Sequence, residues 1–524
     1  MTVALAAPHR DAVAAGERAV EAGGNALDAA VAAAVMLTVV YPHQCALGGD
    51  LVALVRSPEG VTTAVVAAGT APRDIGRVST TWPAMPRQGA HSVTVPGIVA
   101  GWVELVRLGA RLPLAASLGT AAVVAQDGTR VSAGLGRALT ARREAILADP
   151  GLRSVFAPTG EPLRRGSVLW QPALAATLRR LADDPRDAYE GDTARALVRM
   201  LRQRGGAHTL ADFAGYRPET SRAVTCEIAG RAWSVAPPPS VGPVLLGVAR
   251  AVLGVHDVHN AAGEPDPVRV LDASLAGVAA RAAHLGDPRH GAGDLEALLV
   301  LDATPAPGRS EPPATGDTVA VTASDDSGWS VAIVQSVFQS FGAGLLEPET
   351  GIVLHNRGAA FSLDPGSPAY LAPGARPPHT LCPVIVHSDR ATVVTGCQGG
   401  RAQPWILAQL LPALTDVTQP LGDVLARPRW VVGDVDLGHA ELTLVAEPGV
   451  GTEVAAAARA AGLPVASFPA PADAAGHVQV VRRRTGPAGL TFEAASDPRA
   501  DGAGVLVRAE HTNPANPASP MEEK

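Results

Sequence analysis

Lysine is all but absent from this chain. Its 524 residues include one, Lys524 at the last position, and the other cationic side chains are arginines. A Schiff-base lysine, a phosphate-loop lysine and the strand lysine of a protein kinase are excluded together, because each needs an ε-amine inside the fold. Aromatic residues are 3%, so the core must be built from alanine, valine and leucine. The 4 cysteines, Cys45, Cys226, Cys382 and Cys397, show no C-x-x-C spacing, which argues against a zinc ribbon or a redox dithiol and favours a reducing, cytoplasmic setting. His256 and His259 form an H-x-x-H pair without a third ligand nearby, so no metal is expected, and no cofactor pattern is present. The N-terminus lacks a basic segment followed by a long apolar run, and no signal peptide is read there. The most apolar stretch, residues 29–41, is too short to span a membrane and suits a buried helix. A formal net charge of -7 offers no basic face to nucleic acid.

What the chain does have is apolar surface, 47% against 18% charged, enough for a large core. Residues 10–41 read as two helices broken at Gly23-Gly24-Asn25, with Asn25 or Asp28 at the second start. Leu47-Gly48-Gly49-Asp50 reads as a structural turn into a strand over 51–55. Residues 95–150, 168–216 and 268–300 carry helical spacing, and 236–242 form a rigid turn. Segment 303–316 is Pro-rich and cannot be a regular element. Strand-like segments follow at 318–324, 329–334, 351–354, 384–387 and 392–395. Cys397 reads as a packing residue, and Arg164-Arg165 and Arg482-Arg483-Arg484 as solvated charge. The tail, 511–524, is expected to be disordered. Helices, a Pro-rich break, then strands opening on a threonine fit either two linked domains or a proprotein cut at the break.

The segment Gly316-Asp317-Thr318-Val319 places a threonine at a strand start after that break. This is what an N-terminal nucleophile requires. The threonine Oγ attacks the preceding carbonyl, the resulting ester is hydrolysed, and the freed α-amine serves as base for its own hydroxyl. Motifs along the chain carry this further. Gly23-Gly24-Asn25-Ala26, Tyr41-Pro42-His43 with Leu47-Gly48-Gly49-Asp50, Val95-Pro96-Gly97, Pro238-Pro239-Ser240, Phe341-Gly342-Ala343-Gly344, Gly399-Gly400 and Asp497-Pro498-Arg499 together resemble the γ-glutamyltransferases of the N-terminal-nucleophile hydrolase superfamily. The resemblance implies an α+β fold, a four-layer αββα sandwich. It also implies cleavage between Asp317 and Thr318 into a large subunit, 1–317, and a small subunit, 318–510 with its tail, which stay together as a heterodimer.

What carries over is uneven. Thr318 stands at the nucleophile position, Ser336 where the family keeps a supporting hydroxyl, and Gly399 and Gly400 where backbone N–H groups form the oxyanion hole. The glutamate-recognition residues are lost. Ala68 replaces the arginine that binds the α-carboxylate, His379-Thr380 replaces a Ser-Ser pair, and Phe338, Arg357 and Ala360 replace the ligands of the α-ammonium. A zwitterion without counter-charges loses several kcal/mol. Arg357, in Asn356-Arg357-Gly358, is expected to grip a carboxylate bidentately, with Asn356, His379 and Thr380 in support. The expected function is hydrolysis or transfer of an acyl group from a small carboxylate-bearing substrate. The alternatives are C–C bond hydrolysis in antibiotic biosynthesis of the 4-alkylproline type, and an unprocessed non-enzymatic homologue.

Overall fold

Two antiparallel sheets stack face to face with helices on both outer surfaces, in a computed structural model that describes residues 1–254, 265–291, 293–301, 317–433, 438–468, 472–487 and 489–509. The Pro-rich segment 303–316, the His256/His259 pair and the tail lie outside the described residues. The first sheet runs Ala503–Arg508, Thr2–Ala7, Asp317–Asp325, Ser330–Phe338, Asp50–Arg56, Thr62–Ala67, Glu219–Arg222. The second runs Gly489–Ser496, Val478–Gly486, Ala391–Cys397, Val384–His387, Arg231–Val235, Val224–Ile228. This is the expected αββα sandwich. Both sheets draw strands from either side of segment 303–316, so the break does not separate two independently packed domains. The alanine-rich N-terminus, without strand signal in the sequence, is a strand beside Asp317–Asp325.

Central strands covered on both faces are apolar on both. In the strand Asp317–Asp325, Val319, Val321 and Ala323 face the first helical layer while Ala320 faces the second sheet. In Ser330–Phe338, Val331 and Ile333 face the helices, and Ala332 and Val334 the other sheet. The inter-sheet layer is thus built from small side chains, and a Cβ added at Gly396 would come within 2.7 Å of Val334 Cγ2 and 3.2 Å of Ala320 Cβ. Close approach of the sheets therefore requires glycine there.

The helix Ala26–Val40 is apolar all round because it is buried all round. Its start is a capping box: Asn25 Oδ1 accepts from Leu27 N and Asp28 N, and Asp28 Oδ2 from Asn25 N. Ala26 N donates to Asp325 Oδ2 at 3.0 Å, and Gln335 Nε2 donates to Ala34 O at 2.7 Å. Those bonds fasten the helix to both strands of the hairpin formed by Asp317–Asp325 and Ser330–Phe338. Gly242–Leu253, Pro267–His284 and Gln403–Leu414 cover the second sheet. The stretches read as long helices break into shorter ones, for example Ile98–Gly109 and Leu114–Asp127, and Pro267–His284 and Leu295–Val300. Arg482 corrects one expectation. It is buried, pairs with Glu493 and donates to the carbonyls of Leu414, Asp416 and Gln419. Among the described residues no helix is long and apolar enough to cross a membrane.

Candidate active site

Thr318 and Ser336 meet across a β-bulge. The register pairs Gln335 with Val319 and then Phe338 with Asp317, so Ser336 and Val337 together oppose Thr318. Phe338 adopts φ 76°, a left-handed conformation that costs a bulky residue energy. Its N–H donates to Ser336 Oγ at 2.7 Å. The bulge turns the Ser336 hydroxyl onto the start of the neighbouring strand. Thr318 Oγ1 donates to Ser336 Oγ at 3.2 Å, and Ser336 Oγ donates to the Asp317 carbonyl at 2.5 Å. The serine thus bridges the candidate nucleophile and the carbonyl it would attack. Both side chains are almost fully buried.

Gly399 and Gly400 follow the strand Ala391–Cys397, whose Gly396 lies against Ala320 of the strand Asp317–Asp325. Their φ values of 151° and 52° are open to glycine. They lead through the short turn Gly400–Ala402 into Gln403–Leu414, which is capped at Ala402, so both glycines precede the helix. Cys397 is a free thiol, pushed well above its usual range by burial.

Arg357 is buried at 1% exposure. Its guanidinium lies over the Phe338 ring, 3.4 Å from the centroid, and its Nη1 donates to Thr380 Oγ1 at 3.2 Å. Phe338 packs with Ala359 and Ala360, and Phe338 is two residues from Ser336. The dyad and the arginine therefore share one corner of the fold. Ala68, where the family has its carboxylate-binding arginine, is an inter-sheet core residue. Asn356 is engaged elsewhere: its Nδ2 donates to Arg87 O and Gln339 Oε1, and its Oδ1 accepts from Gln339 N. It holds the loop that carries Arg357.

Sequence reasoning missed Asp50, His355 and Thr94. Asp50 is the cross-strand neighbour of Ser336. Its Oδ1 accepts from Gly69 N and Gly97 N, both at 3.1 Å. Its Oδ2 lies 3.2 Å from His379 Nε2 and 3.3 Å from His355 Nδ1. Burial would raise the Asp50 carboxyl, but the two imidazoles outweigh it and hold the group well below the usual carboxylate range. His379 is pushed down to about 4, chiefly by burial and further by the charge of Arg357. Nothing beyond a lone acid after Gly-Gly marked Asp50 in the sequence.

Burial also pushes Asp317 up to about 6. The folded uncut chain therefore binds this proton more tightly than the unfolded one, and stability falls as pH rises from about 4 to about 6. In a Thr318→Ala background, Asp317→Asn is expected to stabilise the protein by about 1–3 kcal/mol at pH 8 and to lose that advantage at pH 4. Denaturant titrations at the two pH values check this.

Two stacked antiparallel sheets between helical layers are the fold of the N-terminal-nucleophile hydrolases. Within it, a match to the gamma-glutamyltranspeptidase family spans residues 12–507, and the chain belongs to that family. It is 36% identical over 524 residues to the oxamate amidohydrolase proenzyme of Klebsiella pneumoniae, covering 95% of this chain and 97% of that one. It is 32% identical to the glutathione hydrolase-like YwrD proenzyme of Bacillus subtilis, over 82% of this chain and 85% of that one. The solved structure of cephalosporin acylase from Bacillus halodurans superimposes with a TM-score of 0.85 at 27% identity, covering 97% of this chain and 96% of the other. The protein is accordingly an enzyme of hydrolase and acyltransferase chemistry, which excludes the non-enzymatic alternative.

Proposed function

We propose that the chain cleaves itself before Thr318 and then hydrolyses a small amide that carries a carboxylate. In the uncut chain Thr318 Oγ attacks the Asp317 carbonyl carbon, and Ser336 donates to the oxygen that becomes negative. The Thr318 hydroxyl proton passes to the departing nitrogen as collapse breaks the Asp317–Thr318 C–N bond, which frees the Thr318 amine and leaves an ester; water then opens the ester to an Asp317 carboxylate and the Thr318 hydroxyl. That amine then accepts the Thr318 hydroxyl proton when a substrate carbonyl is attacked. Gly399 and Gly400 N–H groups stabilise the oxyanion. The substrate's amine leaves with the proton held by the Thr318 amine, and water then opens the acyl-enzyme, releasing the acid and restoring the Thr318 hydroxyl.

The observation that carries the substrate class is Arg357, buried beside the dyad, stacked on Phe338 and steadied by Thr380. A desolvated guanidinium favours an anion over the ammonium of a glutamyl group. The amidohydrolase relative points the same way, since oxamate is a short amide ending in a carboxylate. Amide hydrolysis is favoured over C–C cleavage on that ground.

Ordinary γ-glutamyl donors are expected to be poor substrates. The test is kcat/KM for a γ-glutamyl anilide against a glutaryl anilide, which differ only in the α-amine, together with oxamate itself. Turnover of a des-amino or oxamate-type substrate with a strong bias against the γ-glutamyl compound supports the reading. Preference for the γ-glutamyl compound overturns it.

A further inference from the structure

Asp50 takes no part in the steps above, yet the fold fixes both of its oxygens. Two backbone amides, Gly69 N and Gly97 N, hold Oδ1, which leaves Oδ2 to the imidazoles. A carboxylate can only accept. The hydrogen in the 3.2 Å contact between His379 and Asp50 therefore belongs to His379 Nε2. His355 Nδ1 faces the same oxygen at 3.3 Å, and its Nε2 sits against Thr94, 3.0 Å from the carbonyl and 3.1 Å from the hydroxyl. In a neutral imidazole with hydrogen on Nε2, Nδ1 carries a lone pair.

His379 Nδ1 is buried and has no hydrogen-bond partner among the described residues. Such an atom is destabilising unless something completes it. His379 precedes Thr380, the residue that takes the Arg357 hydrogen bond, and its partner Asp50 is the cross-strand neighbour of Ser336. The unpaired nitrogen thus belongs to the corner that holds the arginine. A lone pair repels a carboxylate, so His379 is no second grip for the anion. It suits a hydrogen donor attached close to that anion.

We propose that Asp50 is a positioning residue that keeps the His379 hydrogen on Nε2, so that Nδ1 accepts a hydrogen bond from an N–H or O–H group adjacent to the substrate carboxylate held by Arg357. The ligand class rests on the reading of Arg357 given above; the tautomer does not. A primary amide next to a carboxylate, or a 2-hydroxy acid, satisfies both groups at once. Asp50→Asn inverts the arrangement with little change of shape. The asparagine carbonyl must stay with Gly69 N and Gly97 N, so its NH2 faces His379 Nε2. That nitrogen must then accept, and the hydrogen moves to Nδ1.

The test uses the mature two-subunit enzyme and three readouts on one sample: subunit formation, ¹⁵N-histidine NMR at neutral pH, and inhibition by glycolate and by methoxyacetate. The His379 signal is assigned by its loss in His379→Gln. Expected are Nε2-protonated His379 in the wild type, Nδ1-protonated His379 in Asp50→Asn, and wild-type selectivity for glycolate of roughly ten- to a hundredfold that collapses in the variant. Wild-type His379 carrying hydrogen on Nδ1 or on both nitrogens overturns the positioning role without any activity measurement. Equal binding of the two anions to the wild type overturns the ligand class. If neither anion binds, the reading of Arg357 fails, and the NMR result still judges Asp50. Should Asp50→Asn fail to fold, the wild-type tautomer and the selectivity of His379→Gln decide the matter.

Discussion

Thr318→Ala is expected to give a folded, uncut chain of 53.2 kDa with no turnover. The substitution removes the Oγ that donates to Ser336 and leaves the strand pairing of Asp317–Asp325 untouched. Residual activity is expected to fall on the order of 10⁴–10⁶-fold, the range seen when a covalent nucleophile is deleted. Thr318→Ser keeps the hydroxyl but loses the methyl that restricts its rotamer, so cleavage is slowed rather than abolished. Ser336→Ala removes the donor to the Asp317 carbonyl and is expected to slow self-cleavage by roughly 10²–10³-fold, as for loss of one oxyanion donor. A time course on a denaturing gel separates the three variants.

Arg357→Met keeps much of the side-chain volume over Phe338 and removes the charge. Loss of a buried pair with a substrate carboxylate costs about 2–5 kcal/mol in transition-state binding, on the order of thirty- to several-thousand-fold in kcat/KM. Arg357→Lys rescues poorly, because one ammonium reproduces neither the planar fork nor the stacking on Phe338. Self-cleavage proceeds in both variants, since it uses the chain's own peptide and no acyl pocket. Turnover and subunit formation measured on the same sample therefore carry an internal control. Unchanged kcat/KM on a carboxylated amide in correctly processed Arg357→Met assigns Arg357 a structural role and sinks the substrate assignment.

Thr318 stood out in the sequence because a proline-rich run ends at a threonine-led apolar strand, and both features are local. Asn25 and Asp28 were legible for the same reason: a capping box is written in four consecutive residues. Asp50 was not legible, because its partner His379 lies 329 residues away, and nothing near Gly48-Gly49 distinguishes a buried anchor from a turn. The bulge at Ser336 and Val337 escaped as well. Strand periodicity runs on evenly there, and the extra residue shows only in the pairing with Asp317–Asp325. Arg482 misled for a physical reason. It continues the row of Val478 and Val480 toward the helical layer, where its guanidinium meets the carbonyls that close Gln403–Leu414, a favourable place for a cation. The strand Thr2–Ala7 was missed because a short alanine-rich run carries no period that separates strand from buried helix.

The most direct test of the account is the intact mass and N-terminal sequence of the purified active enzyme. Two fragments are predicted, the smaller beginning Thr318-Val319-Ala320-Val321. A single full-length chain in an active preparation, or a small fragment that begins at any other residue, contradicts the assignment of Thr318 as the nucleophile.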